Sequence, residues 1–138
     1  MRTFGSTVWR FGLSFLLAAH GIAHTVGFLV PWGAAIGGTR YDTTLLAGLV
    51  DLGATGTLVL GLVYFGVTVA FLLAAVAVAQ DLTGWRRWTI GVAAFSTGLT
   101  IIGLPATQIG LYLNLALLVM LLVVPRLGIE SGRARATV

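Results

Sequence analysis

The chain has 138 residues, of which 58% are apolar and only 9% charged, with a formal net charge of +4. Water-soluble domains carry about a quarter charged residues, so this composition excludes an ordinary soluble fold, which would turn large apolar patches toward water. Cysteine is absent, which removes disulfides, thiolate metal sites and cysteine nucleophiles.

The isoelectric point near 10.8 does not signify a nucleic-acid surface. All eight basic residues are arginines: Arg2, Arg10, Arg40, Arg86, Arg87, Arg126, Arg133 and Arg135. They fall at the ends of apolar runs, the pattern of topology determinants and lipid-headgroup contacts. The expected partner is a lipid bilayer, and no nucleic acid.

In chain order, the first predicted span runs from about Val8 to Val30, opening at Trp9-Arg10 and stopping at Pro31-Trp32. It reaches the roughly 20 residues a bilayer core requires, so it reads as a retained helix rather than a cleaved signal peptide. Residues 31–42 carry Pro, several Gly, Arg40 and Asp42, and read as loop.

Residues 43–80 contain a single charge, Asp51, and have room for one helix or two. Arginine placement decides. With four spans, all arginines except Arg40 share one side, and positive residues stay cytoplasmic. The second helix is then about 57–80, and residues 31–56 form an outer loop that caps the bundle. Within it, 43–56 is a hairpin, a short helix or a re-entrant turn.

Asp81 to Arg87 form a predicted cytoplasmic turn. The third helix runs over about 88–104, Pro105 turns the chain, and the fourth helix covers about 106–124 before Pro125-Arg126. Residues 127–138 make a polar, flexible tail. The predicted fold is thus all-α, a single four-helix transmembrane bundle with both termini in the cytoplasm of a bacterium or archaeon. No solenoid-length repeat is present, and any match between the halves is weak. Nineteen glycines, many inside the spans, suit close helix packing within one chain or a homo-oligomer interface.

The most unusual feature is His20-Gly-Ile-Ala-His24, two imidazoles one turn apart on one helical face. Such a pair can share a metal, although the glutamate of the zinc-protease helix is missing and Asp51 is the one good further ligand. Gln108, Tyr64 and Tyr112 are weaker donors. The plainer reading is two neutral rings hydrogen-bonded inside the bundle, and ligand or proton binding is the sharper one. At about 1.5 Å per residue, His20 lies near the midplane. Tyr64 and Thr68, Thr97 and Thr100, and Tyr112 and Asn114 fall at similar depths. The candidate ligand site is therefore His20, His24, Tyr64, Thr100, Tyr112 and Asn114, roofed by the outer loop. The candidate metal set is His20, His24 and Asp51.

The run from Arg10 to His24, followed by Gly27-Phe28, resembles small bacterial four-span membrane proteins of uncharacterised activity that carry His-Gly-x-x-His in the first helix. Val50-Asp51-Leu52-Gly53 and Gly110-Leu-Tyr-Leu-Asn114 are similar to that group too. More distantly, Arg10 to Gly21 resembles the opening of the DoxX-like family, four-span proteins linked to thiosulfate–quinone and other redox chemistry. That family typically has Lys at the position of His24 and Glu at the start of its second helix, where Asp51 is the nearest acid here.

Three functions follow as alternatives. One is a non-enzymatic accessory subunit or holder of a small apolar molecule in a mid-membrane polar pocket. Another is a redox or quinone-linked enzyme subunit, which the DoxX-like resemblance implies and which would use His20 and His24. The last is a transporter acting as an oligomer. No cofactor is required by the residues, and metal, haem or quinone each stay open. Partners beyond lipid are a second copy or a larger membrane complex.

Overall fold

The computed structural model describes residues 4–33 and 42–123. Residues 34–41 of the predicted outer loop, Val124 and the predicted tail lie outside them. The elements are α1 (Phe4–Ala23), α2 (Thr25–Leu29), β1 (Thr44–Leu45), β2 (Val50–Asp51), α3 (Gly53–Gln80), α4 (Trp85–Ile102) and α5 (Gln108–Val123). Two helical stretches, Thr7–Leu29 and Gly53–Gln80, are long and apolar enough to cross a membrane, and α5 is a shorter apolar helix.

The first stretch breaks at His24. The His24 N–H bonds to the Gly21 carbonyl and the Gly27 N–H to the His24 carbonyl, each at 3.1 Å and each spanning three residues. This tighter spacing replaces the α-helical ladder for one turn and separates α1 from α2.

Four predicted boundaries shift. Helix α3 starts at Gly53 rather than Thr57, because Asp51 Oδ1 accepts the Gly53 N–H at 2.9 Å and satisfies a free donor of the first turn. Helix α4 starts at Trp85, inside the predicted turn: Gly84 takes the left-handed φ of 83° that ends the turn there. Its end moves to Ile102, and α5 begins at Gln108.

The exterior is apolar where that of a water-soluble protein is polar, and the interior holds several polar groups. Phe15 and Ile109 are each 77% exposed, while His20, His24, Thr57, Thr68, Thr89, Ser96, Thr100 and Asn114 are buried. The inward faces mix these polar groups with large apolar ones such as Leu13, Leu17, Phe71 and Val78, and the outward faces are largely apolar.

Helices α1 and α3 pack antiparallel. A Cβ on Gly21 would lie 2.7 Å from Phe71 Cβ, and one on Gly27 would lie 2.6 Å from the Tyr64 ring. Glycine at position 21 lets α1 approach the α3 backbone, and glycine at position 27 of α2 makes room for the Tyr64 ring. At the far end, Arg10 donates from Nε and Nη2 to the Val78 carbonyl at 3.0 Å and from Nη2 to Ala79 at 2.7 Å. Its Nη1 lies 3.3 Å from Asp81 Oδ2. A cation on the last carbonyls of α3 complements the negative helix end.

Helices α4 and α5 repeat this plan. Arg86 donates from Nε at 3.0 Å and Nη2 at 2.7 Å to the Leu121 carbonyl. His20 lies ten residues beyond Arg10, as Ser96 does beyond Arg86. Phe71 lies seven residues before Val78, as Asn114 does before Leu121. Leu13, Leu17 and His20 correspond to Thr89, Ala93 and Ser96, and Phe71, Ala74 and Val78 to Asn114, Leu117 and Leu121. All twelve are buried. The two helical pairs share one register although their sequences share few residues.

Residues 43–56 contain an antiparallel hairpin, with Thr44 opposite Asp51 and Leu45 opposite Val50. Its tip crosses to the other helical pair: the N–H groups of Leu46 and Ala47 bond the carbonyls of Ile102 and Leu104, both at 2.9 Å. Leu46 and Ala47 adopt left-handed φ values of 51° and 56°. Such conformations cost about 1–2 kcal/mol per residue, which these bonds offset.

Candidate functional site

His20 on α1 and His24 at the break between α1 and α2 have ring centroids 4.9 Å apart and planes at 82°. Phe71 of α3 contacts both, edge-on to His20 at 4.8 Å and stacked on His24 at 5.7 Å. Tyr64, two turns earlier on α3, stacks on the other neighbourhood of His24 at 5.9 Å and 30°. One hairpin of helices thus supplies an aromatic sleeve around both imidazoles.

The polar partners come from the opposite pair. His20 Nε2 lies 2.7 Å from Asn114 Oδ1, Asn114 Nδ2 donates to Ser96 Oγ at 2.8 Å, and Ser96 Oγ lies 2.9 Å from His24 Nε2. Asn114 and Ser96 are fully buried. An amide oxygen only accepts, so with this amide orientation His20 carries its proton on Nε2. Ser96 Oγ accepts from the amide nitrogen; with its own hydroxyl proton on His24 Nε2, the neutral His24 ring carries its proton on Nδ1. The chain His20–Asn114–Ser96–His24 then runs in one direction of donation, from His20 to His24.

One atom stands outside it. His20 Nδ1 is buried without a hydrogen-bond partner. In this tautomer it is a lone-pair acceptor, and leaving such a group unpaired costs about 1–3 kcal/mol.

The predicted site residues divide. His20, His24, Tyr64 and Asn114 come together. Thr100 is buried, but its hydroxyl bonds back to the Thr97 carbonyl at 2.9 Å and its carbonyl accepts the Thr107 hydroxyl. Thr68 and Thr97 likewise bond carbonyls of their own helices, Tyr64 and Ala93. Tyr112 is 69% exposed and leaves the site. It lies two residues from Asn114, about 200° around the helix, so one must face out when the other faces in.

The predicted metal set is not assembled. Among the described residues, no group of three or more His, Asp, Glu or Cys is placed to hold a metal. Asp51 sits exposed on the hairpin, where its carboxylate is occupied by the Gly53 N–H. Gln108 is exposed at the start of α5.

Ser96 and Phe71 were not predicted. The buried face of α4 reads Thr89, Ala93, Ser96, Thr100 at helical spacing, and that periodicity carries the signal for Ser96. Phe71 carried no signal, since an apolar residue in an apolar span fits any face.

No family model matches the chain, and neither does any curated protein or solved structure.

Proposed function

We propose that this chain is an integral membrane protein of four spans, with both termini cytoplasmic, that acts as an accessory subunit or holds a small apolar molecule and is not itself a catalyst. The apolar outward faces support the bilayer setting. Four spans are supported by the shared register of the α1–α3 and α4–α5 pairs. The observation that carries the non-catalytic reading is the engagement of both histidine Nε2 atoms by Asn114 and Ser96. A set of side chains that bonds inward ties two helical pairs together and presents little to a substrate.

The test is native mass spectrometry of the protein gently extracted from its membrane. A co-purifying protein or small apolar molecule is expected; a bare chain with neither removes the proposal. For topology, Gly38→Cys should label from outside and Gly132→Cys should not.

One observation favours a second reading, a redox or quinone-linked subunit of the kind the DoxX-like resemblance implies. His20 Nδ1, buried and unpaired, is an acceptor suited to a quinol hydroxyl. Optical and elemental analysis of the purified protein decides this: absence of quinone, haem and metal together eliminates it.

A further inference from the structure

A groove of about 470 Å³ lies between α3 and α4, away from the histidines. Its walls include Val63, Ala70 and Phe95, its floor Gly66 and Gly91, and Arg87 and Trp88 stand at one end. A Cβ added to Gly66 or Gly91 would meet nothing within 4 Å, so these glycines open space rather than bring helices together. The three described arginines differ in use. Arg10 and Arg86 are spent on helix carbonyls, whereas among the described residues Arg87 makes no hydrogen bond or ion pair.

We propose that this groove holds one acyl chain of an anionic phospholipid, with the lipid phosphate on the Arg87 guanidinium. The inference rests on the membrane-spanning reading above. Arg87 lies in the first turn of α4, at the headgroup level, beside Trp88. From Arg87 to Phe95 the groove climbs about 12 Å along the helix, close to the depth of one leaflet of a bilayer whose core is about 30 Å thick. An apolar slot one leaflet deep with a free guanidinium at its mouth fits an acyl chain below a phosphate, which Arg can contact through two N–H groups. A second copy of the chain fits less well, because a twofold interface would set the groove against itself and oppose two unpaired Arg87 side chains.

The experiment reconstitutes the protein into phosphatidylcholine vesicles containing a minor fraction of phosphatidylglycerol. After mild detergent release, native mass spectrometry reads the bound lipid. The wild type should retain one phosphatidylglycerol in preference to phosphatidylcholine. Arg87→Gln should lower that preference roughly fivefold, the weight of one basic residue near anionic lipid. Gly91→Leu, or Gly66→Leu should the first fail to fold, should lose the retained lipid while the unfolding midpoint stays unchanged. Equal retention of the two lipids by the wild type overturns the proposal. So does undiminished retention in both folded leucine variants, or a wild-type dimer that these variants convert to monomer. A carbonate wash separates the two levels of the argument. Release of the chain from the vesicles defeats the membrane reading, whereas a retained chain without lipid preference defeats only this inference.

Discussion

Asn114 Oδ1 lies 2.7 Å from His20 Nε2, joining residues 94 positions apart through an atom that can only accept. That bond crosses from α5 to α1, while Asn114 also donates to Ser96 within its own pair, so one amide ties the α4–α5 pair together and to the other pair. Asn114→Leu should lose both bonds and leave His20 and Ser96 short of a partner. The expected loss is about 1–2 kcal/mol, the range for hydrogen bonds between membrane helices. Ser96→Ala and His20→Phe should each cost about 1 kcal/mol, and the double variant Asn114→Leu/Ser96→Ala should cost less than the sum of its singles. Unfolding in mixed micelles measures this; strict additivity would dissolve the network into independent contacts.

Glycines in the first helix should behave oppositely depending on what faces them. Gly21→Leu drives a side chain toward Phe71 and should destabilise by about 1–3 kcal/mol. Gly12→Leu meets nothing within 4 Å and should leave the unfolding transition in place. Equal effects at the two sites would contradict the α1–α3 crossing.

At the other end of that crossing, Arg10→Gln should shift stability more than Asp81→Asn. Arg10→Gln loses the guanidinium bonds to the carbonyls and the ion pair, whereas Asp81→Asn loses the ion pair but keeps a side chain that tolerates the left-handed φ of 59°. The ordering, read from unfolding midpoints, is the checkable quantity; a larger loss for Asp81→Asn would reverse the assignment of Arg10 as the cap.

Acidification should loosen the hairpin before the helices. The Asp42 carboxylate is held below its usual value of 3.8 by the Thr44 N–H and hydroxyl. Asp51 is held below it by the Thr43 hydroxyl and the Gly53 N–H. A depressed folded-state value means the contribution is present above the unfolded value and is lost as pH falls through the folded one. Exchange of the Leu46 and Ala47 amides, protected by bonds to Ile102 and Leu104, should accelerate as the pH drops below the usual carboxylate value, relative to exchange in the core of α3. The double variant Asp42→Asn/Asp51→Asn should abolish that difference.

The sequence by itself determined where apolar helices lie, to within a few residues, because composition and helix-stopping Pro, Gly and Arg act locally. The shared face of His20 and His24 was legible for the same reason: helical period is a property of one segment. Tertiary structure decided which face of each helix turns inward. In an apolar environment hydrophobicity does not mark the core, so α3 and α5 carry no apolar stripe to orient them, and Tyr112 and Asn114 were equal candidates until packing chose between them. The same degeneracy hid Phe71, although the polar and small period of α4 carried a signal for Ser96, and it hid the correspondence between the two helical pairs, which equivalent burial and arginine caps carry while few residues match. Asp51 left the metal set because an exposed hairpin, fixed by bonds from its tip to the α4–α5 turn, held its carboxylate at the start of α3, a placement that only long-range contacts could impose.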